Sequence, residues 1–180
     1  MDAAGKGYWS SSLASDVEKG KATMIKQSAQ PSFFFRLLTG YYGFLQAVHL
    51  LILAYGLIVY IQSGTIGFPA PPPEVGWTGQ AEAFLLGNGA LDSIIGVAAI
   101  LFVIGFFRQR EWSQALGLVC LTASLCSGGF FVIGTLASGA WRVHPANYAG
   151  LVLVFTPVVM LFLMMIQSAW RSSPRPTAEV

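Results

Sequence analysis

The chain has 180 residues, of which 54% are hydrophobic and only 10% charged, with a mean hydropathy of +0.62. Soluble domains carry roughly 25% charged residues, so a surface that faces water throughout is excluded. A net charge of +2 gives no basis for a nucleic-acid interface.

About thirty polar residues precede the first apolar run, so the start does not read as a cleavable signal, and the first span is expected to stay as an anchor. Residues 1–32 form a cytoplasmic tail, either flexible or a short helix on the membrane surface. Leu13, Val17, Met24 and Ile25 fall loosely on one face, with Lys19, Lys21 and Lys26 elsewhere. Pro31 ends the segment.

A bilayer core takes about 20 apolar residues per helix. Four stretches qualify, at 37–61, 83–107, 112–136 and 148–170, and none holds Lys or Arg. The expected fold is therefore all-α, an integral membrane four-helix bundle occupying 33–170, followed by a disordered tail at 171–180. Trp77, Trp112, Trp141 and Trp170 lie at span ends, with Phe33, Phe34, Phe35, Tyr41 and Tyr42, as expected of rings that favour the headgroup layer.

Basic residues set the orientation. Lys6, Lys19, Lys21, Lys26, Arg36, Arg108, Arg110, Arg171 and Arg175 share one side, and Arg142 alone lies on the other. Both termini are accordingly expected in the cytoplasm, with loops 62–82 and 137–147 outside. Asp16 and Glu18 speak against an organellar presequence, which leaves the plasma (inner) membrane of a bacterium. The outer loop contains Phe68-Pro-Ala-Pro-Pro-Pro-Glu74, a stiff extended strap that reads first as a spacer between helix ends and otherwise as a cap on the bundle or a contact for a partner. His144 in the other outer loop reads as solvated.

Polar residues at membrane depth must find partners there. On the first span Tyr42, Gln46, His49, Leu53, Gly56 and Tyr60 recur at steps of three and four and define an inward face. Asn88 and Asp92 share a face of the second, next to a small-residue seam of Gly89, Ser93 and Gly96. Gly117, Ser124 and Gly128, with Cys120 and Ser127, form a seam on the third, where small side chains permit close helix contact. Cys120 and Cys126 point roughly 240° apart on a helix and are expected to stay unpaired. Pro157 sits mid-span on the fourth and is expected to kink it.

An ionised carboxylate at this depth is costly, and the intramembrane group able to pair with Asp92 as a cation is His49. The expected pairing is a His49–Asp92 contact, assisted by Asn88 or Gln46. It reads either as interhelical glue or as a ligand or proton site, with Tyr42 beside it. No metal-ligand cluster, phosphate-cradling loop or nucleophile with an adjacent base appears. No catalytic residue, metal or cofactor is assigned. Two functional classes remain open. One is a non-enzymatic accessory or assembly subunit, or binding protein, of a membrane complex, with other membrane subunits as partners. The other is a proton-coupled transporter or a receptor for a quinone, lipid or other small lipophilic ligand. Lack of an internal repeat speaks against an inverted-repeat transporter.

Overall fold

The computed structural model describes residues 31–66 and 70–172. The chain divides into two units, Met1–Phe33 and Phe34–Val180, and the bundle belongs to the second. The expected N-terminal tail or surface helix at 1–30, the C-terminal tail from 173 on, and Phe68 of the strap lie outside the described residues.

Among the described residues five helices succeed one another: α1 Phe33–Ser63, α2 Gly79–Phe107, α3 Trp112–Ala137, the single turn α4 Ala140–Val143, and α5 Pro145–Ser172. The shortest of the four long ones has 26 residues. At about 1.5 Å per residue that exceeds the hydrocarbon thickness of about 30 Å, and all four are long and apolar enough to cross a membrane. The protein is an all-α four-helix bundle.

The long helices extend past the apolar stretches expected as spans: α1 starts at Phe33, α2 at Gly79, and α5 runs Pro145–Ser172. Hydropathy measures the hydrocarbon slab, whereas capping chemistry fixes the helix end. Thr78 caps α2 by accepting the Ala81 N–H at 3.4 Å, and Glu82 sits in the first turn, where the helix dipole favours an acid. Pro145 opens α5, the position at which its missing N–H costs nothing. The 137–147 connection holds the single turn α4.

The turn between α2 and α3 is closed by two backbone bonds, Gln109 N–H to Phe106 carbonyl at 3.0 Å and Arg110 N–H to Gly105 carbonyl at 2.9 Å. This is the Schellman arrangement, with Gln109 at φ 54° where glycine usually stands.

Neighbouring helices run antiparallel. Leu53 of α1 lies against Gly89 of α2, Leu50 against Gly96, and Val103 against Gly43. Between α2 and α3, Trp112 covers Gly105, Phe102 covers Gly117 and Phe84 covers Gly134. Between α3 and α5, Met165 meets Gly117 and Phe155 lies over Gly128. The sealed core, built on Leu38, Tyr42, Phe102, Leu121, Val158 and Leu161, occupies the half of the bundle nearer the 108–111 turn. In the other half α1 loses cover, and none of its residues beyond Gln46 is buried. Cys120 is buried, Cys126 is exposed, and both are free.

At the opposite end the strap is tied down. Ala70 is buried, the Trp77 indole donates to its carbonyl at 3.3 Å, and the Tyr148 hydroxyl donates to the Pro71 carbonyl at 2.8 Å. Tyr148 stacks on Trp141 at 5.4 Å, and the Trp141 N–H donates to Thr135 Oγ1 at 3.0 Å. The segment is an anchored cap, not a bare spacer. His144 beside it is half-buried, and its backbone N–H closes α4.

Candidate functional site

Midway along the bundle, α1, α2 and α3 each present polar side chains to the same seam, because steps of three and four hold them on one helix face. They form two layers. In the first, the Tyr42 hydroxyl and Ser124 Oγ lie 2.7 Å apart, and the Gln46 amide donates to the same Ser124 oxygen at 3.4 Å. This layer is closed off: Tyr42 is 0% exposed, Gln46 5% and Ser124 4%.

The second layer lies one turn further along and centres on Asp92. Ser127 Oγ donates to Asp92 Oδ1 at 2.5 Å and lies 3.2 Å from Asn88 Oδ1. The Asn88 amide donates to Asp92 Oδ2 at 3.1 Å, across one turn of α2. His49 Nε2 sits 3.6 Å from Asp92 Oδ2, close enough for Coulomb attraction but beyond hydrogen-bond length. Ser127 is 1% exposed, whereas the His49 and Asp92 side chains keep 27% and 20% of their surface uncovered.

Of the candidates named from sequence, His49, Asp92 and Asn88 come together in one layer. Gln46 and Tyr42 belong to the other, and Gln46 reaches Ser124 rather than assisting Asp92. Its place one turn back along α1 matches it to Ser124, because α3 runs parallel to α1 and antiparallel to α2. The small residues divide as well. An added Cβ at Gly117 would stand 2.5 Å from Phe102, and one at Gly96 3.0 Å from Leu50. At Gly89 and Gly128 the same test finds ordinary contacts, 3.5 Å to Leu53 and 3.8 Å to Phe155. Ser93 donates back to the Gly89 carbonyl at 2.9 Å. Gly56 is half-buried, on the less covered part of α1.

Ser127 is the partner that sequence alone did not single out for Asp92. Its one signal was a position three residues after Ser124, on the same face. The tight contacts at Gly105 and Gly134 leave no signal in the sequence, since each depends on a ring from the facing helix. Tyr41 reaches α5, its hydroxyl donating to the Val154 carbonyl at 2.8 Å. That carbonyl is one residue from Leu153, whose own backbone partner is removed by Pro157.

Among the described residues no group of three or more His, Cys, Asp or Glu side chains stands ready to hold a metal. The second layer offers instead a carboxylate, an imidazole and an amide on an incompletely covered side of the α1–α2 seam. The fold and this centre define a membrane-spanning four-helix bundle with a polar, ionisable layer at its midplane. No protein-family model matches the chain, and neither a curated protein nor a solved structure is significantly similar to it.

Proposed function

We propose that the protein is a non-enzymatic membrane binding protein whose His49–Asp92 centre takes the polar head of a small lipophilic ligand. The ligand enters from the bilayer between α1 and α2. One contrast carries this reading. The hydrogen-bond layer of Tyr42, Gln46 and Ser124 is sealed, as interhelical glue should be, while the adjacent ionisable pair stays a fifth to a quarter uncovered. A polar group left part-open at membrane depth is costly, and the head of a ligand would cover what Ser127, Asn88 and His49 leave open. The basic bias toward the termini and the 108–111 turn supports a plasma membrane orientation with both ends in the cytoplasm, and a bacterial source fits the same reading.

A second reading is supported by α1. Its run from Leu51 to Ile61 contains no buried residue, and a helix of another membrane subunit packed there would close the same opening. The chain would then be an accessory or assembly subunit.

Purification in mild detergent, followed by solvent extraction and mass spectrometry, separates the two. A lipophilic small molecule retained near one per chain, and lost from His49→Ala, is the expected result. A co-purifying membrane protein would favour the accessory role. A bare monomer with nothing retained, in wild type and variant alike, would remove the binding reading.

A further inference from the structure

At the end of the bundle opposite the strap, we infer that α1 and α2 hold one acidic phospholipid, its phosphate between Arg36 and the arginines of the 108–111 turn. This site shares no residue with the midplane centre and does not depend on it.

The register of the two helices brings these side chains to one level. Leu50 lies against Gly96, Val103 against Gly43, and the Phe107 ring 4.0 Å from a Cβ placed at Gly40. One more turn along the antiparallel pair puts Arg36 level with the turn that carries Arg108 and Arg110. The Arg36 guanidinium lies over the Phe107 ring, 5.9 Å from its centre. Beside it Phe35 packs on Phe106, with ring centres 5.3 Å apart. An arginine laid on a ring is steadied by the quadrupole while the N–H edge of its fork stays open. The turn itself is closed by the backbone bonds of Gln109 and Arg110, which fix where its side chains leave the chain.

The charge here is not neutralised from within the bundle. Arg36, Arg108, Arg110 and Arg171 stand at this end against one acid, Glu111. Among the described residues none of the four arginines is in an ion pair or donates a side-chain hydrogen bond. At the strap end the balance is reversed, with Glu74 and Glu82 against Arg142.

The neighbours decide which anion fits. Leu37, Phe107 and Trp112 are exposed next to the arginines, and the Trp112 ring covers Gly105 of α2. Arginines adjoining bare apolar side chains, at the end of membrane-length helices, mark the headgroup layer. A free anion from water would pair with the arginines and leave the apolar groups without a partner. A phospholipid answers both, because its phosphate oxygens accept from the guanidinium fork and its acyl chains lie along the exposed sides of α1 and α2. The lipid is net negative, since the ammonium of a zwitterionic head would be repelled by the same arginines.

Native mass spectrometry of the full-length protein tests this, with dioleoylphosphatidylglycerol or dioleoylphosphatidylcholine added to the detergent. Phosphatidylglycerol is expected to fill one site per chain about fivefold more tightly than phosphatidylcholine, the effect of about one arginine at an anionic surface. Arg36→Gln should abolish most of that preference, and Arg36→Lys should restore only part of it, because an ammonium lacks the fork. Arg142→Gln, at the other end, should leave it unchanged. The lysines of residues 1–30 are the same in every variant, so the differences report on the arginines. If Arg36→Gln loses its helical circular dichroism, the double variant Arg108→Gln with Arg110→Gln is read in its place. Equal retention of the two lipids, equal losses from Arg36→Gln and Arg142→Gln, or full recovery in Arg36→Lys overturns the inference. Release of the bound lipid by inorganic phosphate also overturns it, by making this a site for the free anion.

Discussion

Ser127 Oγ lies 2.5 Å from Asp92 Oδ1, joining α3 to α2 at mid-bundle. The separation is in the range of hydroxyl-to-carboxylate bonds. Because Ser127 is buried while Asp92 is partly open, the serine fixes one carboxylate oxygen and leaves the other facing His49. Ser127→Ala is expected to cost about 0.6 to 1.7 kcal/mol, from the average to the largest value for single interhelical hydrogen bonds in a helical membrane protein. Reversible unfolding in mixed detergent micelles reads the loss. Ser127→Cys, which keeps a weak donor, should recover part of it.

The glycine seams differ in what they tolerate. A Cβ at Gly117 would sit 2.5 Å from Phe102 and 2.7 Å from the Met165 methyl. Met165 can bend away, but Phe102 is held in the core with no exposure. Gly117→Ala is expected to destabilise by about 1 to 3 kcal/mol, as overpacking does. Gly129, on the same helix, has open space around it. There the alanine should leave stability unchanged or raise it by up to about 1 kcal/mol through helix propensity. Equal losses at both positions would show that close packing is not what distinguishes them.

The turn between α2 and α3 carries a local cost that one substitution removes. Gln109 adopts φ 54°, a left-handed conformation that disfavours a side chain by about 1 to 2 kcal/mol. Gly there regains that amount, less the additional chain entropy it loses on folding, about 0.5 to 1 kcal/mol. Gln109→Gly should therefore raise stability by up to about 1.5 kcal/mol, read as a higher unfolding midpoint. The β-branched Gln109→Val should lower it.

Some of this was legible in the sequence and the rest was not, for physical reasons. Four helices are legible because a bilayer demands long apolar runs, and Asn88 with Asp92 because four residues make one helical turn. His49 is legible through its depth. Ser127 is not, since a serine among glycines looks the same whether it packs or donates. Gly105 and Gly134 matter only because Trp112 and Phe84 arrive from α3 and α2, which is information between helices rather than along one. The bare face of α1 beyond Gln46 is equally silent, because lipid, ligand and a partner helix all select the same apolar side chains.

The cap at the loop end is held by two side-chain bonds, from the Trp77 indole to Ala70 and from Tyr148 to Pro71. Tyr148 is buried, stacks on Trp141 and donates its hydroxyl to the Pro71 carbonyl at 2.8 Å. Pro71, Pro72 and Pro73 offer no N–H, so this stretch of strap cannot anchor itself by donating from its own backbone and relies on accepting. Tyr148→Phe keeps the ring stack and removes only the donor. The expected loss is about 0.5 to 1.5 kcal/mol, confined to the strap. Amide exchange at Val75, Gly76 and Trp77 should accelerate about two- to tenfold, the rate factor matching that energy, while amides in the middle of α2 and α3 keep their protection. Faster exchange throughout the bundle would instead make Tyr148 a support of the whole fold. Unchanged exchange would mean that Ala70 burial and the Trp77 indole bond hold the strap without it.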